Sequence, residues 1–382
     1  MEADVRRLVQ SIHEAPTMVV LATTGAGGMA VSWCLGVAGA SRTLLEARVP
    51  YSSRSFADFL GREPDQFVAP ETARSLAHAS YRRSLALRPD PSTPVAGVAC
   101  TATIATYRPK RGDHRCHVAL WDSSRRVTHS LVLAKGQRDR LGEETVVSRL
   151  LLRALAEACD VPHELDLGLR NGERVLTEER RYGDPIAALL DGQVESVLVP
   201  AQGPPKADAP FHGVLLSGSF NPLHRGHVRL AEVAARRLGL PAAFELSVVN
   251  VDKPQLEEGQ VRRRLAQFSG RWTAVVTRAP TFYEKSLLFP GVSFVIGWDT
   301  AVRLVDPRYY HHSRAEMLKD LLEMREQGTR FLVAGRAEEG RFHTLSEVEI
   351  PRGLEDMFEA IPEDEFREDI SSTQLRRMGK GV

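Results

Sequence analysis

Along the first half of the chain the apolar positions switch between the spacing of helices and that of strands. Val5 to Ile12 carries apolar residues at the spacing of an amphipathic helix, and Thr17-Met-Val-Val-Leu-Ala22 follows as a short apolar run of buried-strand type. A glycine loop then leads into Met29 to Val37. Val95-Ala-Gly-Val-Ala-Cys100, Cys116-His-Val-Ala-Leu-Trp121 and Val127 to Leu133 read as further strands. Ser75 to Ser84 and Glu143 to Ala158 have helical spacing, and the latter sets Val147, Leu150, Leu151, Ala154 and Leu155 on one face. Strands alternating with helices predict an α/β layer.

Ala201-Gln-Gly-Pro-Pro-Lys-Ala-Asp-Ala-Pro210 interrupts this rhythm, because three prolines and a glycine among small polar residues sustain neither a helix nor a central strand. A second α/β rhythm follows: strands at Gly213 to Ser217, Phe244 to Val251, Ser293 to Ile296 and Arg330 to Ala334, with a helix at His227 to Leu238. The expected organisation is therefore two α/β domains, 1–165 and 211–382. Residues 166–210 form a connector and proline-rich linker, with a short strand at Ser196 to Pro200.

No residue from Thr17 to Ala40 is charged, a length that raises the question of a membrane span, yet five glycines break the stretch and it reads as strand, loop and buried helix. With 43% hydrophobic and 26% charged residues the chain can bury a full core. Lys+Arg 50 against Asp+Glu 49 leaves a formal charge of +1, so neither nucleic acid nor an anionic membrane is expected as a partner, and phosphate binding must be local. Cys34, Cys100, Cys116 and Cys159 lie far apart with no CxxC pair, and read as core residues of a cytoplasmic protein; Met1 to Arg7 lacks the basic and apolar regions of a secretory signal.

Chemistry concentrates in two places. Gly218-Ser-Phe-Asn-Pro-Leu-His-Arg-Gly-His227 lies between an apolar strand and a helix, a turn that offers backbone N–H groups and the positive end of a helix dipole to an anion. Gly218 permits close approach of a phosphate, Gly226 removes a crowding side chain, and His224 and His227 can face one polyphosphate. Near the end, Ile370-Ser-Ser-Thr-Gln-Leu-Arg376 sets Ser371 or Ser372 to cap a helix whose hydroxyls, N–H groups and Arg376 would converge on phosphate oxygens.

These HxGH and ISSTxxR elements resemble the two signatures of the nucleotidylyltransferase superfamily, and most of all those of nicotinamide/nicotinate mononucleotide adenylyltransferases; the resemblance runs from Phe211 to the C-terminus and takes in Ile296-Gly-Trp-Asp-Thr300. It implies a Rossmann-like parallel sheet, with ATP as substrate, Mg²⁺ on the leaving pyrophosphate, and AMP transferred to the mononucleotide. On it, His224, His227 and Arg376 are catalytic. Gly218, Ser219, Phe220, Asn221, Gly226, Lys253, Gly297, Asp299, Ile370, Ser371, Ser372 and Thr373 bind nucleotide. The family's tryptophan beyond the IGxD aspartate is replaced here: Trp298 stands inside the segment, and Tyr309 and Tyr310 occupy the later position as candidates for the acceptor. Transfer of adenylyl or cytidylyl to another acceptor such as phosphopantetheine, or nucleotide sensing without turnover, are the alternatives. No dedicated protein metal site is expected, and His311-His312 reads as a surface loop.

The first domain, Val5 to Val161, resembles the C-terminal domain of the competence/damage-inducible (CinA) family, whose active members deamidate nicotinamide mononucleotide. Thr23-Thr-Gly-Ala-Gly-Gly28 lies where that family has ESCTGG, and Tyr51-Ser-Ser-Arg-Ser-Phe56 where it has YSNxxK. Thr24 then stands at the nucleophile position and Phe56 at that of the lysine, and phenylalanine cannot take a proton. The downstream glycine loop has become Thr101 to Thr106. A degenerate deamidase-like domain is expected, with Thr24, Ser52 or Ser53 as the alternative nucleophiles; the resemblance also implies a homodimer. Tyr107 to Arg115 is expected as a solvated hairpin loop, Arg262 to Arg264 on a helix face near the nucleotide or in water, and acidic Glu355 to Glu368 as a surface segment anchored by Ile361 and Phe366.

Overall fold

The apolar run after the first helix becomes an inner strand. In the computed structural model, which describes residues 1–90, 92–107, 111–249, 254–338 and 341–368, the chain forms two units, Met1–Tyr182 and Gly183–Val382. In the first, α1 (Ala3–Glu14) buries Val5, Val9 and Ile12, and β1 (Met18–Thr24) is buried from Val19 to Thr23. The glycine loop joins β1 to α2 (Gly28–Leu35). There follow β2 (Leu44–Arg48), α3 (Ser53–Leu60), α4 (Pro70–Leu87), β3 (Val95–Thr103), β4 (His114–Trp121), β5 (Arg125–Leu133), α5 (Arg140–Ala158) and β6 (Val175–Arg181). The sheet runs β2-β1-β3-β4-β5-β6, parallel across β2, β1 and β3 and antiparallel beyond. The uncharged 17–40 stretch is thus a strand, a loop and a helix. Among the described residues no helix is long and apolar enough to cross a membrane.

The connector expected at 166–210 carries more structure than its composition suggests. Its β6 pairs with β5, and six of its seven residues are exposed, so an edge strand has no apolar stripe to betray it. The boundary falls after Tyr182. In the second unit Asp184 caps α6 (Pro185–Leu190) through the N–H groups of Ile186 and Ala187, and β7 (Ser196–Val199) pairs with β8 (Lys206–Ala207) inside the proline-rich segment.

The rest of this unit runs β9 (Val214–Ser217), α7 (Arg225–Leu238), β10 (Ala242–Ser247), α8 (Glu258–Ala266), β11 (Ala274–Thr277), α9 (Phe282–Leu288), β12 (Ser293–Gly297) and α10 (Trp298–Leu304). It ends with α11 (Arg314–Glu326), β13 (Arg330–Ala334), the small hairpin β14 (Arg336–Glu338) and β15 (Arg341–His343), and β16 (Phe358–Ile361). The acidic terminal segment thus contains a strand, and Ile361 and Phe366 are buried as expected. The sheet order is β16-β13-β12-β9-β10-β11-β7-β8, parallel from β16 to β11, with β7 and β8 added antiparallel at one edge. Reading outward from β9, one half winds through β10 and β11 and the other through β12, β13 and β16. This is the doubly wound arrangement, and its winding reverses between β9 and β12.

Candidate functional site

In such a sheet the crevice opens at the carboxyl ends of the two strands where the winding reverses. Here those ends are Ser217 and Gly297, and both lead into segments singled out by the sequence. After β9 the Gly218 N–H donates to the Glu245 carbonyl (3.0 Å). A Cβ at Gly218 would stand 2.9 Å from the Phe220 ring, so a larger residue would force the turn open. Phe220 holds φ +44° and is fully buried, meeting Phe244 (5.5 Å between centroids), Phe268 (5.3 Å) and His227 (5.1 Å) edge-on. It is an aromatic anchor beneath the loop rather than a surface that ligand can reach.

Gln267, just past α8, clamps the loop from behind: its amide donates to the Phe220 carbonyl (2.9 Å) and accepts from the Leu223 N–H (2.8 Å). Arg264 of α8 adds a bond to the Ser219 carbonyl (3.2 Å). Of the Arg262 to Arg264 run, Arg264 thus serves the loop, whereas Arg262 pairs with Glu258 (2.7 Å) and Asp184 (3.0 Å). Gln267 escaped the sequence reading because a single glutamine in a polar segment has no periodic or motif signature.

His224 is the residue before α7, and its ring stacks on that of His227, centroids 3.7 Å apart. The His224 N–H donates to Nδ1 of His227 (3.3 Å), which leaves the proton of a neutral His227 on Nε2. Burial, reinforced by the neighbouring His224, pushes His227 down to about 3; burial also lowers His224, against the pull of Glu368. Both imidazoles are therefore neutral near pH 7. Nδ1 of His224 is buried without a partner among the described residues. Gly226 is buried in the first turn between them. Two neutral imidazoles at the positive end of a fourteen-residue helix can donate to an oxyanion without competing for its protons.

At the end of β12, Gly297 turns the chain into α10, where Asp299 is paired with Arg336 of β14. Trp298 stacks on His343 of β15 (4.4 Å between centroids), and its Nε1 has no partner among the described residues. Arg336 and His343 were not singled out from the sequence, although Arg336 stands two residues after the apolar run of β13, the neighbour of β12. Tyr309 is exposed. Tyr310 packs against the core, its hydroxyl donating to the Leu304 carbonyl (2.9 Å) and pushed upward in pKa by burial. The Tyr310 hydroxyl is thus engaged within the fold.

Lys253, Ile370, Ser371, Ser372, Thr373 and Arg376 lie outside the described residues. The chain leading to the last motif is held, however: Phe366 is buried in the cluster that contains Phe220, and Glu368 pairs with Arg225 (3.0 Å) and Arg229 (3.1 Å) of α7. Two residues before Ile370, the backbone is thus tied to the helix that begins after His224. Below the loop, Glu245 is buried and accepts from Lys285 (2.8 Å) and from the Thr277 hydroxyl (2.7 Å), a polar core joining β10, β11 and α9.

The glycine loop of the first unit is built differently. Gly25 has φ +83°, and a Cβ there would lie 1.8 Å from the Ala102 carbonyl oxygen, so only glycine fits. The N–H groups of Gly27 (3.0 Å) and Met29 (3.1 Å) donate to the Glu144 carboxylate of α5, which also accepts from Ser148 (3.0 Å). The adjacent Glu143, wholly buried, accepts from the Ala105 N–H (2.7 Å) and meets His114 (2.7 Å). Thr24 donates to the Pro50 carbonyl (3.1 Å), the Ser52 hydroxyl caps α3 through Ser55 N–H (3.2 Å), and Phe56 is buried. The four cysteines are free and buried, and burial raises all four thiols.

Residues 215–378 match a family model described as cytidylyltransferase-like. No curated protein sequence matches the chain significantly. Among solved structures, the competence/damage inducible protein CihA from Agrobacterium tumefaciens is 20% identical, with a TM-score of 0.36, over 41% of this chain and 97% of that one. A competence or damage-inducible protein from Enterobacter asburiae is 15% identical (TM-score 0.33, 41% and 96% covered). A CinA superfamily protein from Escherichia coli is 14% identical (TM-score 0.32, 41% and 92% covered). These structures align with the N-terminal part of the chain, while the second unit carries the nucleotidyltransferase-like match.

Proposed function

We propose that the second unit transfers AMP from ATP to nicotinamide or nicotinate mononucleotide, releasing pyrophosphate. The observation that carries this reading is the stacked, neutral His224–His227 pair on the glycine loop where the sheet reverses its winding. An acceptor phosphate oxygen attacks the α-phosphorus of ATP, the bond to the β-phosphate oxygen breaks, and pyrophosphate leaves with its electron pair. No covalent enzyme intermediate is required, so the residues must hold the reactants in line and stabilise charge on the phosphoryl oxygens. The Nε2–H of His227 and the first turn of α7 donate to those oxygens. Gln267 and Arg264 keep the loop rigid from behind, and Ser371, Ser372 and Arg376 take the β- and γ-phosphates.

Mg²⁺ bound to the triphosphate supplies further neutralisation of the leaving pyrophosphate. Asp299, Glu245 and Glu368 are each already paired with a cation, which suits a metal held mainly by phosphate oxygens. Trp298, stacked on His343 beside the Asp299–Arg336 pair, is the aromatic candidate for a pyridine ring. The first unit we read as a degenerate relative of the deamidases, since Phe56 replaces the base and Thr24 has a carbonyl partner.

The test is pyrophosphate release by the full chain with Mg²⁺, offering ATP or CTP against nicotinamide mononucleotide, nicotinate mononucleotide and phosphopantetheine. Turnover with ATP and a pyridine mononucleotide is expected. Turnover confined to CTP or to phosphopantetheine would replace the substrate assignment, and absence of turnover in folded protein that binds ATP would replace transfer by sensing.

A further inference from the structure

The first unit contains a cavity of about 390 Å³ between the second half of α5, strands β5 and β6, and the segment leading into β6. Its charges do not balance. Of the two carboxylates that line it, Glu157 is held by His129 Nε2 (2.9 Å) and lies 4.0 Å from Arg125, while Glu173 is paired with Arg138 (2.7 Å) and accepts the N–H groups of Ala134 and Arg170 (2.7 Å each). Both carboxylates are therefore engaged. Arg153 of α5 and Arg174 also line the cavity, and neither has a partner among the described residues. Arg153 is half-buried, and its guanidinium nitrogens are not among the buried polar atoms without a partner, so its stem is held while the head stays accessible to an anion.

The imidazole of His129 cannot supply that anion's place: its second nitrogen is engaged by Thr177 (3.0 Å). His163 also borders the cavity and presents a further N–H donor or acceptor. Leu150, Leu167 and Val175 give the cavity an apolar wall. The volume lies within the range of small-molecule sites, roughly 300–1,000 Å³, which commonly join an apolar wall to a few polar groups. Arginine forks suit phosphate oxygens better than any other side chain.

We propose that this cavity binds a small organic phosphate, with Arg153 and Arg174 on the phosphoryl group and the carbon part against the leucines. The site is separate from the nucleotide loop of the second unit and does not depend on the transfer reaction. The test follows the histidine ring resonances of the full chain, labelled on histidine, as inorganic phosphate and then glycerol 3-phosphate are added at constant pH and ionic strength; His163→Gln assigns the signal of His163. Saturable shifts of His129 and His163 are expected, with half-saturation at least tenfold higher in Arg174→Gln and Arg153→Gln and unchanged in His227→Ala. Arg174 is exposed, so its variant probes the site without disturbing the core. Shifts that never saturate, or that saturate in both arginine variants at the same concentration as in the unsubstituted chain, would overturn the proposal.

Discussion

Two loops in this chain follow the same local recipe, a buried parallel strand running through glycines into a helix, and they end in opposite chemical states. At Thr23 to Gly28 the backbone N–H groups are already bonded to a carboxylate from α5, some hundred residues away in sequence. At Gly218 to His227 the Gly218 N–H donates to the Glu245 backbone carbonyl and the Leu223 N–H to the Gln267 amide, which clamps the loop from behind, and two neutral imidazoles stack at the helix start. A glycine loop at a helix start prefers a negative oxygen in either case. In the first unit that oxygen comes from the Glu144 carboxylate, whereas in the second the neutral Gln267 amide takes only the Leu223 N–H and braces the loop.

The comparison is broken most sharply by His227→Ala. Removing the Nε2–H donor should lower pyrophosphate release about 10²–10³-fold, the usual cost of one donor to a developing oxyanion, while thermal unfolding of the first unit stays where it was. Glu144→Ala should do the reverse. With the Gly27 and Met29 N–H groups left without an acceptor, at about 1–3 kcal/mol per buried group, the first unit should melt several degrees lower in calorimetry. Transfer by the second unit should be unaffected, and added formate should restore part of the loss.

A smaller effect comes from pH. His227 titrates near 3 in the folded chain against 6.5 when unfolded, so the unfolded chain binds the proton first and stability falls as pH drops below 6.5 toward 3. Between pH 6.5 and about 5 this amounts to about 1–2 kcal/mol, and denaturant titrations should find that part of the slope gone in His227→Gln. The smallest effect belongs to the clamp. Gln267→Leu forfeits two hydrogen bonds to the loop and should raise KM for ATP about tenfold, equivalent to about 1.4 kcal/mol, with the second unit melting a few degrees lower because the Leu223 N–H and the Phe220 carbonyl lose their partners.

The contrast also separates what was legible in the sequence from what was not. Strands β1, β3, β4, β5, β9, β12 and β13 announced themselves as apolar runs because they are buried, and the turn from Gly218 to His227 by its glycines and histidines. Edge strands such as β6 and β16 did not, since exposed faces leave no stripe to read. The partners that hold each loop were hidden for a different reason. Glu144 sits on a helix whose other residues already explain its pattern, and Gln267 and Arg336 carry no local signature. Only long-range packing brings each to its loop. The Phe220 ring was read with the nucleotide residues from its place in the motif; its burial makes it the loop's foundation instead.

The measurement that bears most directly on the central claim is the stoichiometry of ATP binding to the full chain in the presence of Mg²⁺, by calorimetric titration. One high-affinity site per chain is expected, weakened in His227→Ala and unchanged in Glu144→Ala. A site whose affinity is the same in His227→Ala, or a second one of equal strength that disappears when the first unit's loop is altered at Gly25, would contradict this reading.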